Sequence, residues 1–255
     1  MRRPLLKATI GAGLAGLLVC ASAYALTIEI DKTSVSATAS ISPRALPARG
    51  NAPATVGSIT RINTTDGTQP PKLKELTFLF DGNGTVDTRG LPTCSLEKLA
   101  GTTTEVARKR CAGAIVGTGV GKADVRLPGQ APVSISTPLT FFNAPAVGGE
   151  PSLIAHAYET IPVPKTLLVP FSIERIHQGR YGYRVQIEMP PIAEGYGAAT
   201  LAQATVGKTW KRNGKTVGYT NAHCEGGRLQ VHGTLSFTDG SLFPGTLTSP
   251  CHVAG

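Results

Sequence analysis

The segment DGNGTVD at positions 81–87 carries oxygen-bearing side chains at alternate positions. Carboxylate and other oxygen ligands are those that Ca²⁺ prefers, and the order resembles the start of a calcium-binding loop. The twelfth position of such a loop requires an acidic residue, but Pro92 stands there. The alternative is a hairpin turn, which is also rich in Asp, Asn and Gly. We therefore consider a weak calcium site whose candidate ligands are Asp81, Asn83, Thr85 and Asp87.

Two short basic segments are candidates for contact with an anionic polymer. The first combines one aromatic ring with three cations, and the second is the densest positive run outside the amino-terminal leader. Such groups attract phosphate-rich or acidic chains, so we predict contact with cell-wall or other anionic extracellular polymers. The alternative is a solvated hairpin tip whose tryptophan packs inward, and nothing indicates a specific nucleic-acid partner. The candidate contact residues are Trp210, Lys211, Arg212 and Lys215, with Arg108, Lys109 and Arg110.

The glycine-rich segment 117–122, GTGVGK, does not match a nucleotide-binding motif. A phosphate-binding loop requires four residues between its glycines and a Ser or Thr after the lysine, whereas Ala123 follows Lys122. The third glycine of the dinucleotide fingerprint would fall on Lys122. We therefore interpret the segment as a flexible turn, and no cofactor is indicated.

Sequence motifs of catalysis are weak in this chain. There is no Gly-x-Ser-x-Gly motif, and the five histidines are scattered through the chain. A catalytic site can also form from residues that come together only in the folded chain. An extracellular hydrolase is therefore the alternative to a non-catalytic protein. Glu174 and Glu188 could act as paired carboxylates, but both are expected on the outer faces of strands.

The first 25 residues have the order of a removable export signal. Arg2, Arg3 and Lys7 precede a short apolar run, and Ala23-Tyr24-Ala25 supplies small residues for cleavage after Ala25. The two arginines, followed by two apolar residues and a lysine, also suit the twin-arginine route. Cys20 follows Val19 rather than the small residue usual at a lipid-attachment site, so we assign it to the discarded leader. We therefore expect a secreted or cell-surface protein without a transmembrane helix in its mature part.

Four cysteines follow the leader, and an oxidising compartment favours two disulfides. Three pairings are possible, and we favour the local ones, Cys94 with Cys111 and Cys224 with Cys251. Two histidines next to cysteines, His223 and His252, suggest a metal site instead. Neighbouring residues on a strand point to opposite faces, however, so each pair would converge poorly on one ion.

The pattern of apolar residues predicts an all-β protein. Apolar and polar residues alternate over 181–189 and 229–237, and a third run, 167–173, contains Pro170, which indicates an edge or a bulge. The chain has 30 glycines, 19 prolines and only 16% charged residues, as expected of many short strands joined by turns. Asn213-Gly214 and Asp239-Gly240 suit tight hairpins. We predict a two-sheet sandwich, immunoglobulin-like or jelly-roll-like.

This sandwich is expected to span residues 76–255, with residues 26–75 as an extended, irregular section packed on its body. A small disulfide-closed helical insertion is predicted at about 94–111. Thr102 and Glu105 have the spacing of a capping box at the start of a helix, and Ser95 to Leu99 are expected to form a shorter turn before it.

The chain resembles a group of exported, β-rich, disulfide-containing proteins of high-GC Gram-positive bacteria. The resemblance covers most of the mature chain and implies a single extracellular domain, but it carries no activity. Together with the motifs above it predicts a non-catalytic binding or structural module. The shared phrases are Leu91-Pro92-Thr93-Cys94, Lys109-Arg110-Cys111, Ala114-Ile115-Val116-Gly117, Phe142-Asn143, His156-Ala157-Tyr158, Arg180-Tyr181-Gly182-Tyr183 and Pro190-Pro191-Ile192-Ala193.

Overall fold

A computed structural model describes residues 25–255, and the predictions for the leader, including Cys20, lie outside the described residues. Strands dominate this part of the chain, with two short helices, α1 (Leu96–Leu99) and α2 (Thr104–Arg110). The strands are β1 (Leu26–Ile30), β2 (Thr33–Ser42), β3 (Ala45–Leu46), β4 (Ala52–Pro53), β5 (Thr55–Thr64), β6 (Leu73–Asp81), β7 (Gly84–Val86), β8 (Ile115–Val125), β9 (Val133–Val147), β10 (Glu150–Glu159), β11 (Lys165–Gln178), β12 (Tyr181–Glu188), β13 (Gly197–Val206), β14 (Thr209–Arg212), β15 (Lys215–Gly218), β16 (Thr220–Ala222), β17 (Arg228–Phe237), β18 (Leu242–Pro250) and β19 (His252–Val253).

Twelve of these strands form one antiparallel sheet in the order β1-β2-β5-β13-β8-β9-β10-β11-β12-β6-β17-β18. The sheet curls until its two edges meet, and β18 at one edge contacts both β1 and β2 at the other. At this seam the Ser249 hydroxyl donates a hydrogen bond to the Ala39 carbonyl over 3.1 Å. The all-β prediction is confirmed, but the two-sheet sandwich is wrong: the main sheet is a nearly closed barrel. Both architectures bury one face of each strand, so alternation alone does not distinguish them.

Residues 26–75 are part of this sheet rather than a section laid upon it. They supply β1, β2 and β5, and β5 pairs with β13 along its length. Strand β6 begins at Leu73, so its first residues precede the expected start of the sandwich at residue 76. The prolines of this section fall mainly outside the long strands, which explains how strands form in a proline-rich stretch.

The two ends of the barrel are closed differently. We call the end where β6 finishes and β17 begins the upper end, and it carries the small strands β3, β4, β7, β14 to β16 and β19. The disulfide between Cys224 and Cys251 lies there, packed with Leu46 and Leu229. The lower end is filled by apolar side chains, namely Val35, Ile62, Leu235, Phe237 and Phe243.

The helical insertion, residues 94–111, packs on the outer face of the barrel. Its disulfide joins Cys94 and Cys111, whose Cα atoms are 5.8 Å apart, and its apolar side contacts Phe142 and Ile154 of β9 and β10. Both disulfides join the cysteines that we favoured. The capping residue is shifted by one position, because the Thr103 hydroxyl accepts the bond from the Val106 amide. The neighbouring Thr102 hydroxyl instead donates to the Leu99 carbonyl.

The interpretation of residues 117–122 as a flexible turn is wrong, because they lie within strand β8. Here the glycines permit a close approach of β8 to β13. A Cβ at Gly119 would lie 2.0 Å from the Gln203 carbonyl oxygen, and one at Gly117 would lie 2.5 Å from that of Thr205. A side chain at either position would therefore clash with the backbone of β13, and glycine avoids this clash.

The strand predictions for 181–189 and 229–237 are confirmed by β12 and β17. Strand β11 is central in the sheet, but Pro170 lies in its first half, where it pairs with β10 and has no register with β12. The proline is therefore at a local edge, as expected. Asn213 and Gly214 form the two-residue turn between β14 and β15, both with positive φ.

Candidate ligand-binding cavity

The inner face of the barrel surrounds a cavity of about 330 Å³. Most of its wall consists of apolar side chains of the main sheet, with Ser and Thr side chains between them, and every strand of that sheet except β8 contributes to it. Protein interiors are usually packed with few voids larger than a water molecule, so a space of this size needs an explanation. Representative wall residues are Phe78, Phe80, Phe141, Phe171, Val185 and Ile187.

Strand register fixes the aromatic part of this wall. Phe78 of β6 lies opposite Val185 of β12 and Gly233 of β17, and Phe80 lies opposite Tyr183. Because side chains alternate along a strand, Phe78 and Phe80 share one face, and that face is the interior. A Cβ at Gly233 would lie 3.1 Å from the Phe78 ring, so the glycine provides the space that the ring occupies.

Tyr219 closes the wall near the upper end. Its side chain is fully buried (0% exposed) and packs with the core cluster that surrounds the cavity. Its backbone is fixed on both sides, since its amide donates to the Lys208 carbonyl at 2.7 Å and its carbonyl accepts from the Asp87 amide at 2.9 Å. Among residues 25–255, the Tyr219 hydroxyl has no hydrogen-bond partner. Burial raises the pKa of this phenol well above its ordinary value, so the hydroxyl stays protonated.

The polar neighbours of Tyr219 in the wall are engaged with the protein itself. The Thr220 hydroxyl donates to the Ala54 carbonyl at 2.5 Å. The Asn221 amide group donates to the Gly218 carbonyl at 2.6 Å and accepts from the Gly218 amide at 3.2 Å. Tyr219 therefore differs from both neighbours in having an unused donor.

Asp81 is the only charged side chain among the described residues of the wall. It is buried, and its carboxylate accepts from the Arg180 guanidinium at 2.6 Å and from the Gln230 and Asn83 amides at 3.0 and 3.1 Å. The paired arginine compensates the charge, and the hydrogen bonds satisfy both carboxylate oxygens. The described residues thus give the cavity a mostly apolar surface without an unpaired charge.

The candidate calcium ligands lie along the hairpin of β6 and β7. Asp81 is engaged as described, and the Thr85 hydroxyl accepts from the Asn51 amide group at 3.2 Å. Asp87 pairs with Arg89 at 2.8 Å and with Arg212 at 2.9 Å. Hydrogen bonds from Arg89, and next from Arg212, hold the pKa of Asp87 well below its ordinary range. Among residues 25–255, no cluster of three or more His, Cys, Asp or Glu side chains has the geometry to hold a metal.

The residues of the first basic segment do not share one surface. Trp210 is half-buried and packs against the core, and Arg212 turns back to Asp87. Lys211 and Lys215 are exposed, with the Lys211 ammonium donating to the Thr216 hydroxyl at 2.8 Å. This hairpin of β14 and β15, which we call the tip hairpin, therefore offers two exposed cationic side chains.

The second basic segment lies in α2. Arg108 donates to the Thr140 hydroxyl at 2.8 Å, and Arg110 donates to the Lys98 carbonyl at 2.8 Å. Lys109 is exposed. The arginines of this segment thus fix the helical insertion to the barrel and to α1.

The histidines do not assemble a recognisable catalytic site. His156 is buried, with its Nε2 atom 3.1 Å from both the hydroxyl and the carbonyl oxygen of Thr102. His232 contacts the Thr246 hydroxyl at 3.0 Å, and His223 contacts the Asn51 side chain at 2.8 Å. In the part of the chain that the structure describes, no histidine links an acid to a hydroxyl or thiol nucleophile.

Comparison with known proteins adds no assignment: no protein-family model matches this chain, and no curated protein matches it in sequence. Within residues 25–255, no helix is long and apolar enough to cross a membrane.

The sequence reasoning missed the interior cavity and Tyr219. The alternation of β12 and β17 identified their inner faces, but alternation does not say whether opposite faces touch or enclose a space. Tyr219 lies next to Gly218 in a short polar stretch, and no periodic signal marks it.

Proposed function

We propose that this protein is an exported, non-catalytic binding protein that holds a small apolar molecule inside its barrel. The single observation that carries the proposal is the apolar interior cavity of about 330 Å³. This volume lies in the range of small-molecule sites, and barrels too wide for their side chains to fill are known to enclose ligands.

The energetics of an empty cavity favour an occupant. Side chains that line an unfilled apolar space lose the packing contacts that neighbouring atoms would give them. Water is a poor filling for most of this space, because a buried water needs two to four polar partners and the surface of the wall is mostly apolar. An apolar ligand would restore the missing contacts.

Export is part of the proposal. Two disulfides are consistent with an extracellular protein. The expected cleavage after Ala25 leaves the main sheet whole, because β1 begins at Leu26 and Leu26 itself contributes to the cavity wall. We propose secretion or surface location with a cleaved signal peptide, with the twin-arginine route as a possible path. Mass spectrometry of the native amino terminus tests the cleavage.

Contact with anionic extracellular polymers stays a separate prediction. Its support is the exposure of Lys211 and Lys215 on the tip hairpin and of Lys109 on α2. The alternative, an extracellular hydrolase, gains no support from the histidine contacts described above.

The test of the binding proposal is titration of the protein with an uncharged apolar dye, N-phenyl-1-naphthylamine, followed by fluorescence. We expect saturable binding with one dye per chain. Ala204 lines the cavity on β13, so Ala204→Phe should fill part of it and weaken binding about tenfold or more. The matched control is Thr205→Phe, because the next residue on the same strand is exposed and lies outside the wall. Equal loss of binding in both variants, or no saturable binding by the wild-type protein, would contradict the proposal.

A further inference from the structure

We infer that the cavity binds an uncharged, mostly apolar molecule with a hydroxyl or carbonyl group, and that this group bonds to the hydroxyls of Ser58 and Thr60 on β5. This inference rests on the proposed function and names the chemical class of its ligand. It also gives the molecule a direction in the barrel, because its polar group meets β5 and its apolar part meets the opposite side of the wall.

Strand register places the Ser58 and Thr60 side chains on the inner face of the barrel. Strand β5 pairs with β2 along all ten of its residues without an irregularity, so its side chains alternate strictly between the two faces. Ile62 lies two positions after Thr60 and is buried in the core of the lower end. Ser58 and Thr60 therefore face inward with Ile62, and both contribute to the cavity wall.

The surface of the cavity reaches both side chains. Ser58 is exposed although it lies on the inner face of a strand with neighbours on both sides, and Thr60 is half-buried. Alanines are their neighbours across the two ladders, namely Ala37 and Ala39 of β2 and Ala202 and Ala204 of β13. Because alanine side chains are too short to cover a hydroxyl from the inside, a bound molecule can approach both hydroxyls.

These two hydroxyls differ from others in the wall in being unused. The hydroxyls of Thr85, Thr220 and Ser249 each have a hydrogen bond to another residue. Within residues 25–255, no side-chain hydrogen bond involves Ser58 or Thr60. A hydroxyl both donates and accepts, so this pair can bond to a ligand hydroxyl or to a ligand carbonyl.

Three further hydroxyls near the cavity take no part in this contact. Thr38 and Ser40 border the wall on β2, but they alternate with the inward Ala37 and Ala39, so their side chains point outward. The hydroxyl oxygen of Tyr219 has almost no accessible surface and does not face the cavity. The polar contact is therefore assigned to β5.

The apolar part of the ligand has its place on the opposite side of the barrel. Strand β5 is third and β12 is ninth in the order of the twelve strands, so the two strands face each other across the interior. Strands β11 and β6 flank β12 and carry half-buried phenylalanine rings that line the cavity: Phe78, Phe80 and Phe171. The interior thus has one side with hydroxyls and small side chains and one side with aromatic rings.

The charge of the wall disfavours an ionised ligand. Of the described wall residues none is Lys, Arg or His, and the one acid, Asp81, is already paired with Arg180. A carboxylate or phosphate would enter a mostly apolar space without a counter-charge, which is strongly unfavourable. An uncharged hydroxyl or carbonyl group avoids this cost and can still bond to Ser58 and Thr60.

The experiment displaces N-phenyl-1-naphthylamine from the disulfide-bonded protein at pH 7 with three compounds that share one ring system: 2-naphthol, naphthalene and 2-naphthoate. The variant is Ser58→Ala/Thr60→Val, which removes both hydroxyls with little change in side-chain volume. We expect it to weaken binding of 2-naphthol about three- to tenfold, the usual range for one hydrogen bond, and not to weaken binding of naphthalene.

The matched control is Ser36→Ala/Thr205→Val, which makes the same chemical changes on the two strands that flank β5. Ser36 pairs with Arg61 and Thr205 with Gly57, so both side chains lie on the outer face, and neither residue contributes to the wall. This variant should leave all affinities unchanged.

The outcomes separate the two proposals. Dye and naphthalene binding by the wild-type protein, with unchanged 2-naphthol affinity in Ser58→Ala/Thr60→Val or an equal loss in the control, overturns the hydroxyl contact and leaves the proposed function standing. Binding of 2-naphthoate as tight as that of 2-naphthol overturns the exclusion of charge. Failure of the wild-type protein to bind the dye and every compound overturns the proposed function itself. Circular dichroism checks folding, and Ser58→Ala alone is measured in the same way if the double variant does not fold.

Discussion

The ring of Phe78 lies over the backbone of Gly233, its neighbour across the β6–β17 ladder, and a Cβ at Gly233 would lie only 3.1 Å from the ring. The absence of a side chain at Gly233 thus lets the aromatic ring lie close to β17. Gly233 therefore contributes to the shape of the cavity although it has no side chain.

Substitution of Gly233 by valine should displace the Phe78 ring into the cavity. We expect dye affinity to fall about tenfold, with the free energy of unfolding lowered by about 1–3 kcal/mol because of overpacking. Thr234→Val on the same strand is the control, since Thr234 lies outside the wall. Dye titration and urea unfolding measure the two effects, and unchanged dye affinity in Gly233→Val would count against the assigned position of the ring.

Removal of the Cys224–Cys251 disulfide should destabilise the upper end. Its cysteines are separated by 27 residues in sequence, so the chain-entropy model predicts a loss of about 3.5 kcal/mol in the Cys224→Ser/Cys251→Ser variant. Urea unfolding of the two proteins under non-reducing conditions measures the difference. A loss below about 1 kcal/mol would show that the cluster around Leu46 and Leu229 holds this end without the covalent bond.

Acidification should destabilise the folded chain through His156. Burial lowers the pKa of this histidine in the folded chain. In the unfolded chain the imidazole binds a proton near pH 6.5, whereas in the folded chain it stays neutral at that pH. The stability contribution is therefore complete above about pH 6.5 and is lost as the pH falls, by at most about 1.4 kcal/mol per pH unit.

The measurement is urea unfolding at pH 7 and pH 5 of the wild-type protein and of His156→Gln, which cannot take up the proton. We expect a smaller loss in the variant. Burial raises the pKa of Glu159, which favours the folded state at low pH, but this contribution is common to both proteins and cancels in the comparison. Equal losses would show that His156 does not titrate on unfolding.

Calcium should have little effect on thermal stability. The carboxylates of Asp81 and Asp87 are already neutralised by Arg180 and by Arg89 with Arg212. We expect the Tm in millimolar calcium and in excess chelator to agree within about 1 °C. A rise of several degrees with calcium, abolished in Asp87→Asn, would instead support the weak calcium site that the sequence suggests.

Binding to anionic polymers should depend on the exposed lysines of the tip hairpin. We expect Lys211→Ala/Lys215→Ala to reduce retention on cell-wall polymers at low salt, with the difference vanishing as salt screens the charges. Lys72→Ala/Lys74→Ala removes the same charge from two exposed positions on another part of the surface and is the matched control. Equal retention of both double variants and the wild-type protein would contradict a role for the hairpin.

Local features were predictable because they depend on near neighbours in the chain. Alternation identified β12 and β17, and the Asn213-Gly214 turn required only two residues with positive φ. The curl of the sheet was not predictable, because it depends on how β1 and β2 meet β18 across more than 200 residues. The cavity could not be predicted from the sequence either, because its wall combines strands from both ends of the chain.

The seam between Ala39 and Ser249 is made by a side chain, whereas the other strand neighbours in the circle are joined by main-chain ladders. No main-chain ladder joins β18 to β1 or β2 among the described residues, so contacts of side chains hold the two edges together. The circumference of the barrel is therefore set less rigidly here than between strands that share a ladder.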